Sequence, residues 1–140
     1  MSHTEIIADL ERSVHRLAVA LEPTTAELGI TQAEAHVLAR LRTRAHTVGE
    51  LQRAFGHKPS TLTNVLDRLD LRGYIERRVH PHDRRSYIVG LTRSGIRTAD
   101  VVIRALDDIE RRIRRETSAR DLEGVRAVAA ALGRLADAGE

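Results

Sequence analysis

The sequence predicts a mainly α-helical protein that carries one small β-hairpin, and three observations support this fold class. First, apolar residues recur at three- and four-residue spacing along most of the 140 residues, which is typical of amphipathic helices. Second, the spacing changes to an alternation of two near residues 74–91, as expected of two short strands. Third, aromatic residues make up only 2% of the chain, so the core must consist mainly of Leu, Val, Ile and Ala. At this length we expect a single domain over residues 1–140.

The first two helices are predicted from an apolar stripe and a capping pattern. Residues 4–21 form the first helix, which we expect to end at Pro23 because proline breaks helices. Thr31 and Glu34 have the spacing of a capping box, and this pattern predicts a second helix that ends near Arg42. The stripe of the first helix comprises Ile6, Ile7, Leu10, Val14, Leu17, Ala18 and Leu21, and that of the second comprises Ala35, Leu38 and Leu41.

Two further helices follow with a tight turn between them. Thr47 and Glu50 repeat the capping pattern and predict a short helix that ends near Gly56, with Leu51, Ala54 and Phe55 facing inward. The next helix begins at Pro59, an early position where the missing N–H costs nothing, and it ends at Gly73. Its inward face is predicted to consist of Leu62, Val65, Leu66 and Leu69.

A hairpin and a long helical region complete the chain. Strands are predicted over residues 74–79 and 86–91, and the polar loop between them is His80-Pro81-His82-Asp83-Arg84-Arg85. Thr92 is a suitable cap for the last helical region, which we place at residues 96–137 with a break near Thr117-Ser118. The order of elements predicts a helix-turn-helix followed by a hairpin within residues 31–95, flanked by helices at 4–21 and 96–137.

The flanking helices carry apolar stripes that the core does not obviously cover. Exposed apolar surface is unfavourable by about 25 cal/mol per Å². We therefore interpret residues 4–21 and 96–137 as dimerisation helices that pack against a second copy of the chain. A two-fold dimer also pairs two reading helices, as a palindromic DNA site requires.

The placement of charge favours duplex DNA as a partner. The formal net charge is only +3, and Lys58 is the only lysine, so the bias towards arginine across the whole chain is explained well by a GC-rich genome. However, seven arginines fall between Arg68 and Arg93, against Asp70, Glu76 and Asp83. A local excess of positive charge matters more for a polyanion than the total does.

The residues predicted to contact DNA lie on the helix after the turn and on the hairpin. Short polar side chains near a helix N-terminus suit phosphates and base edges, and Asn64 is suited to an adenine edge. Each assignment has an alternative. The polar residues of the helix could form an ordinary solvated face, and the hairpin tip could be a solubilising loop. Arg68 could form an ion pair within the protein. The predicted contact residues are Pro59, Ser60, Thr61, Thr63, Asn64, Arg68, Arg77, Arg84 and Arg85, with Arg78 as a further phosphate contact.

Other classes of function find little support in the sequence. The chain has no Cys, which excludes disulfides and thiolate metal sites, and no motif of a catalytic nucleophile or a phosphate-binding loop is present. His80 and His82 with Asp83 are only a weak metal signal, so we expect no metal and no cofactor. His15 and His36 are candidates for an effector pocket, with ordinary surface histidines as the alternative. The charged N-terminus is unlike a signal peptide, and we expect a cytoplasmic protein that is not an enzyme.

The central segment resembles the MarR family of winged helix-turn-helix transcription regulators. PSTLTNVLDRLDLRGYIERR (59–78) is similar to that family's recognition helix and first wing strand. DRRSYIVGLTRSG (83–95) is similar to its wing signature. Lys58 departs from the family pattern, since a capping Ser, Thr or Asp is expected there.

The resemblance implies a homodimer that binds a pseudo-palindromic operator, usually as a repressor. It further implies that Arg85 enters the minor groove and that Asp83 orients it by a salt bridge. Many members of the family release DNA when a small anionic or phenolic effector binds, and the lack of Cys excludes the branch regulated by thiol oxidation. The alternative is a helical interaction protein whose winged-helix module binds a protein partner.

Overall fold

A computed structural model of the chain describes residues 4–56 and 58–139, and within these ranges it contains six helices and three strands. The predicted fold class is confirmed: the protein is mainly helical, with a small β-sheet wing. The helices are α1 (Glu5–Leu28), α2 (Gln32–Thr43), α3 (Val48–Phe55), α4 (Pro59–Leu71), α5 (Arg93–Glu116) and α6 (Ala119–Asp137). The strands are β1 (His46–Thr47), β2 (Ile75–Val79) and β3 (Tyr87–Leu91).

The chain divides into two compact units whose boundary falls inside α5. The first unit, Met1–Leu106, contains the first four helices, the sheet and the start of α5. The second unit, Asp107–Glu140, contains the end of α5 and α6. Within α6 none of the described residues is buried. The assignment of residues 1–140 to one domain stays a prediction.

The helix α1 is longer than the sequence predicts. It continues through Pro23 to Leu28 and ends at Gly29, which has the left-handed φ of 64°. The predicted end at Pro23 is therefore wrong. Leu21 is fully buried and Ile30 is 8% exposed, so the chain on both sides of Pro23 packs against the rest of the unit. This burial compensates for the backbone hydrogen bond that a proline inside a helix removes.

Threonine caps begin two of the helices of the core, as predicted. Thr31 Oγ1 accepts a hydrogen bond from the backbone N of Glu34 at 3.1 Å, and Thr47 Oγ1 accepts one from Glu50 N at 3.1 Å. Only the second cap is a complete capping box, because the Glu50 side chain bonds back to the N-cap backbone. The carboxylate of Glu34 binds an arginine of α4 instead.

The wing is part of a three-stranded antiparallel sheet with the order β1-β3-β2. Arg77 of β2 is opposite Val89 of β3, and His46 of β1 is opposite the same Val89 on its other side. The strand β1 was not predicted, because two residues are too few to show an alternation. It joins the root of the wing to the start of α3.

The core of the first unit consists of aliphatic side chains, as the composition predicts. The predicted inward face of α4 is buried throughout, with each of its four members no more than 1% exposed. In α3 the prediction is only partly correct, since Leu51 is fully buried and Phe55 half-buried, but Ala54 is exposed. Gly95 is buried at the start of α5, where a Cβ would collide with the carbonyl oxygen of Tyr74. That close approach explains why glycine closes the wing motif.

Candidate nucleic-acid interface

The outer face of α4 presents short polar side chains to solvent. Ser60, Thr61, Thr63 and Asn64 are exposed, opposite the buried leucines and Val65. Pro59 occupies the first turn, and the N-cap Lys58 makes no side-chain capping bond. The Thr63 hydroxyl donates to the carbonyl oxygen of Pro59 at 2.9 Å, which leaves its methyl group free to contact a partner. Within the described part of the chain the amide of Asn64 has no hydrogen-bond partner, so both its donor and its acceptor are available.

An ion pair ties the middle of α4 to α2. Arg68 Nε lies 2.9 Å from Glu34 Oε1. The Glu34 side chain is 4% exposed, whereas that of Arg68 is 50% exposed. The structure therefore places Arg68 in the internal ion pair that the sequence left open as one of its two roles. The exposed half of the Arg68 side chain remains in solvent.

The C-terminal end of α4 is held by Arg72. Its guanidinium donates to the carbonyl oxygens of Gly29 and Leu28, the second at 3.1 Å from Nη2. The guanidinium carbon also lies 5.2 Å from the centre of the Tyr74 ring. These contacts satisfy carbonyl groups at the end of α1, where helices leave acceptors unpaired. No pattern in the sequence predicts this role of Arg72.

Arg77 of β2 forms ion pairs with two aspartates of α4. Its Nη2 is 2.6 Å from Asp67 Oδ1, and its Nε is 3.4 Å from Asp70 Oδ2. The second contact is an ion pair without hydrogen-bond geometry, since the buried Nε has no hydrogen-bond partner. Arg77 is thus 28% exposed and partly neutralised, which limits what it offers to a phosphate. Arg78 is far more exposed, at 76%, with Glu76 at 3.5 Å.

The loop at the wing tip is held by hydrogen bonds to the backbone. His80 Nδ1 accepts from the backbone N of His82 at 3.1 Å and of Asp83 at 3.2 Å. Asp83 Oδ1 accepts from the backbone N of Arg85 at 3.0 Å. In the described chain Asp83 therefore orients the Arg85 backbone, and the predicted salt bridge to the guanidinium is not formed. Arg84 and Arg85 are both exposed at the tip.

The start of α3, beside the wing root, carries a strongly perturbed carboxylate. The pKa of Glu50 is lowered from 4.5 to about 2, mainly by its hydrogen bond from Arg44 and then by that from the Thr47 backbone. Arg44 Nη2 lies 2.6 Å from Glu50 Oε2. Both partners stabilise the ionised form of Glu50, so this carboxylate stays charged at acidic pH, down to near its pKa.

The histidines proposed for an effector pocket lie on two different helices. His15 is exposed on α1, and His36 is half-buried on α2, where its Nε2 lies 3.5 Å from Gln32 Nε2. Among the described residues, no group of three or more His, Cys, Asp or Glu side chains is arranged to hold a metal ion. No helix among these described residues is long and apolar enough to span a membrane.

The helices α2 to α4, followed by the hairpin of β2 and β3, define a winged helix-turn-helix protein. Residues 28–86 match the sequence model of the MarR family. This match covers less than half of the chain, and over these residues the chain is similar to the MarR family.

A curated relative shows the same likeness. The multiple antibiotic resistance protein MarR of Escherichia coli (strain K12) is 39% identical over 69 residues, which are 49% of this chain and 48% of that protein. The match thus spans about half the length of this curated relative.

Solved structures extend the likeness of fold to nearly the whole chain. MepR of S. aureus in its DNA-binding conformation has a TM-score of 0.81 and 24% identity, over 92% of this chain and 98% of MepR. The MepR–DNA complex has a TM-score of 0.77 and 21% identity, over 94% of this chain and 96% of MepR. NadR in complex with 4-hydroxyphenylacetate has a TM-score of 0.82 and 19% identity, with coverage of 95% of both chains. At these identities the likeness establishes the fold.

Proposed function

We propose that this protein is a sequence-specific DNA-binding transcription regulator. The observation that carries the proposal is the combination, within one compact unit, of an exposed polar face on α4 and an exposed arginine pair at the wing tip. A helix with a free polar face fits the major groove, and arginine is attracted to the negative potential of a narrow minor groove. The MepR–DNA complex, which shares this fold, supports the choice of duplex DNA as the partner.

In this proposal α4 reads the major groove and the wing reaches the minor groove. Asn64 bonds an adenine edge, and the Thr63 methyl contacts a thymine methyl. Ser60 and Thr61, close to the start of α4 after Pro59, contact phosphates. Arg85 enters the minor groove with Arg84 beside it, and Asp83 keeps its hydrogen bond to the Arg85 backbone or moves onto the guanidinium. Arg68 and Arg77 contribute only the sides of their guanidiniums that the internal ion pairs leave free.

We further propose that the protein acts as a homodimer on a pseudo-palindromic operator. The terminal helices support this, because large apolar side chains on them are exposed. Ile6 is 65% exposed and Val14 67% exposed on α1, and Leu135 is 71% exposed on α6. Leaving such side chains in water is unfavourable, and a second copy would cover them.

Because its proposed partner is DNA, we expect the protein to act in the cytoplasm, and we expect no catalytic activity.

We propose further that the protein represses transcription and that a small effector releases it from DNA. NadR, which has the same fold, binds 4-hydroxyphenylacetate, and this supports a small anionic or phenolic effector here. His15 and His36 remain the proposed effector residues. Displacement of the bound duplex by such a compound, measured by anisotropy, tests this part of the proposal.

Binding of duplex DNA at several salt concentrations tests the central claim. We expect a duplex selected from a genomic library to bind with an affinity that falls steeply as salt rises, because phosphate contacts release counterions. Arg85→Ala should weaken this binding by about 1–3 kcal/mol at fixed salt. Arg97→Ala is the matched control, since Arg97 is an exposed arginine of α5 outside the proposed interface.

Two outcomes would contradict the proposal. If no duplex binds at low salt, while a protein partner does, the chain is a helical interaction protein. If Arg85→Ala and Arg97→Ala have equal effects on the affinity, the wing does not make the minor-groove contact.

A further inference from the structure

A shallow, open cavity of about 310 Å³ lies between the end of α2, strand β1 and α3 in the first unit. It is lined by Arg40, His46, Glu50, Arg53 and Ala54. None of these residues belongs to the proposed DNA interface or to the proposed effector residues. The space corresponds to roughly ten water molecules, enough for a small organic acid.

Two guanidiniums in this cavity have no anionic partner among the described residues. Arg40 and Arg53 are both exposed, and within the described part of the chain neither forms an ion pair. The single carboxylate of the lining, that of Glu50, is already bound by Arg44 at 2.6 Å, outside the lining. The cavity therefore has an excess of positive charge. A guanidinium binds a carboxylate through two parallel hydrogen bonds, so two guanidiniums suit two carboxylates.

The buried histidine adds a third polar group. His46 is only 3% exposed, and its Nδ1 donates to the carbonyl oxygen of Arg44 at 2.8 Å. Nδ1 must be the donor in this bond, because a carbonyl oxygen only accepts. Neutral His46 therefore has its lone pair on Nε2. That atom has no partner in the described chain and is not among the fully buried unpaired atoms, and because His46 lines the cavity we infer that Nε2 faces it.

We propose that this cavity binds a small hydroxy-dicarboxylate. Each guanidinium takes one carboxylate, and the ligand's hydroxyl lies at His46 Nε2. Neutral His46 accepts a hydrogen bond from the hydroxyl, and protonated His46 donates one to its oxygen, so the hydroxyl satisfies the ring in either form. The inference does not depend on the proposed DNA function, because it concerns other residues and is tested without a duplex.

Malate and succinate are the probes, since they differ by the hydroxyl alone. We expect titration calorimetry at fixed low salt to show that malate binds and that succinate binds about tenfold more weakly. Arg40→Gln and Arg53→Gln should each lower the malate affinity about tenfold or more. Arg97→Gln, with the same loss of charge on an exposed arginine outside the cavity, should leave the affinity unchanged.

The role of His46 is best followed in the unaltered chain, because a substitution at this buried position endangers folding. In nitrogen–proton NMR spectra of the ring, malate should shift the Nε2 signal more than succinate does, while Nδ1 stays protonated. No binding of malate up to about 10 mM would overturn the proposal. Equal malate affinities in all three arginine variants would also overturn it. The same holds if malate and succinate bind with equal affinity and the Nε2 signal does not move.

Discussion

At the scale of single residues, arginines are held by carboxylates that are distant in sequence. Arg68 and Glu34 are 34 residues apart, and Arg77 and Asp67 are 10 apart. No local pattern in the sequence could predict these pairs, because they depend on how α4 packs on α2 and on β2. The sequence could predict which positions of α4 face outward, since that follows from helical spacing alone. It could not predict how much of each arginine is left for a partner.

The pair of Arg68 and Glu34 should respond asymmetrically to substitution. Arg68→Ala leaves a buried carboxylate without its partner, and we expect the free energy of unfolding to fall by about 3 kcal/mol. Glu34→Gln leaves Arg68 free to turn to solvent, so the expected loss is about 1 kcal/mol. Urea denaturation of both variants measures the difference. Equal losses would mean that the carboxylate does not depend on Arg68.

Glu50 should make the protein sensitive to acid. Its pKa is about 2 in the folded chain and 4.5 in the reference state, so the ionised form is stabilised by folding. The contribution of Glu50 to stability is therefore complete above about pH 4.5 and is lost as the pH falls towards 2. We expect the thermal midpoint of Glu50→Gln to fall less over this range than that of the wild type. Glu11→Gln, at an exposed site on α1, is the control and should follow the wild type.

At the scale of elements, most helices could be predicted because local signals and packing agree. The Thr47 cap and the left-handed Gly56 define α3, and the spacing of the leucines defines the buried face of α4. The prediction failed at α1, where a local signal and tertiary packing disagree. Pro23 opposes the helix, but the buried Leu21 and Ile30 hold the chain in place on both sides. Such compensation is invisible in a sequence until the packing partner is known.

Pro23 should accordingly be a weak point of α1. Pro23→Ala restores a backbone donor inside an exposed stretch of the helix, and we expect the free energy of unfolding to rise by about 1–2 kcal/mol. Ala26→Gly, also exposed in the same helix, is the opposite change and should lower it by about 1 kcal/mol. Urea denaturation checks both. A loss of stability in Pro23→Ala would show that the proline is needed where it stands.

At the scale of the whole molecule, the two compact units differ in how they are stabilised. Among the described residues of the first unit, fifteen apolar residues are buried in an aliphatic core, all of them between Leu21 and Val102. In the second, α6 begins with a capping box of Ser118 and Asp121, but none of its described residues is buried. Local capping thus defines where this helix begins, whereas most of the described apolar side chains of α6 stay exposed. The sequence could predict this helix and its stripe, but a stripe alone does not identify the surface that covers it.

The proposed dimer predicts a change of mass when the terminal helices are made charged. We expect Ile7→Glu and Leu132→Glu each to shift the protein towards the monomer in analytical ultracentrifugation, because both residues are exposed in the single chain and would be buried in a dimer. Leu71→Glu adds the same charge at a residue of α4 that is 88% exposed, and it should leave the mass unchanged. A wild type that sediments as a monomer at micromolar concentration would refute the dimer.

The hydrogen bonds from Arg72 to the carbonyl groups at the end of α1 have a mechanical consequence. A guanidinium is a rigid plane, and this one is bonded to two consecutive backbone oxygens while it stacks on Tyr74. These contacts join the end of α1 to the end of α4 and restrict the movement of one helix relative to the other. A tilt of α1 must then either move α4 with it or break the hydrogen bonds of Arg72.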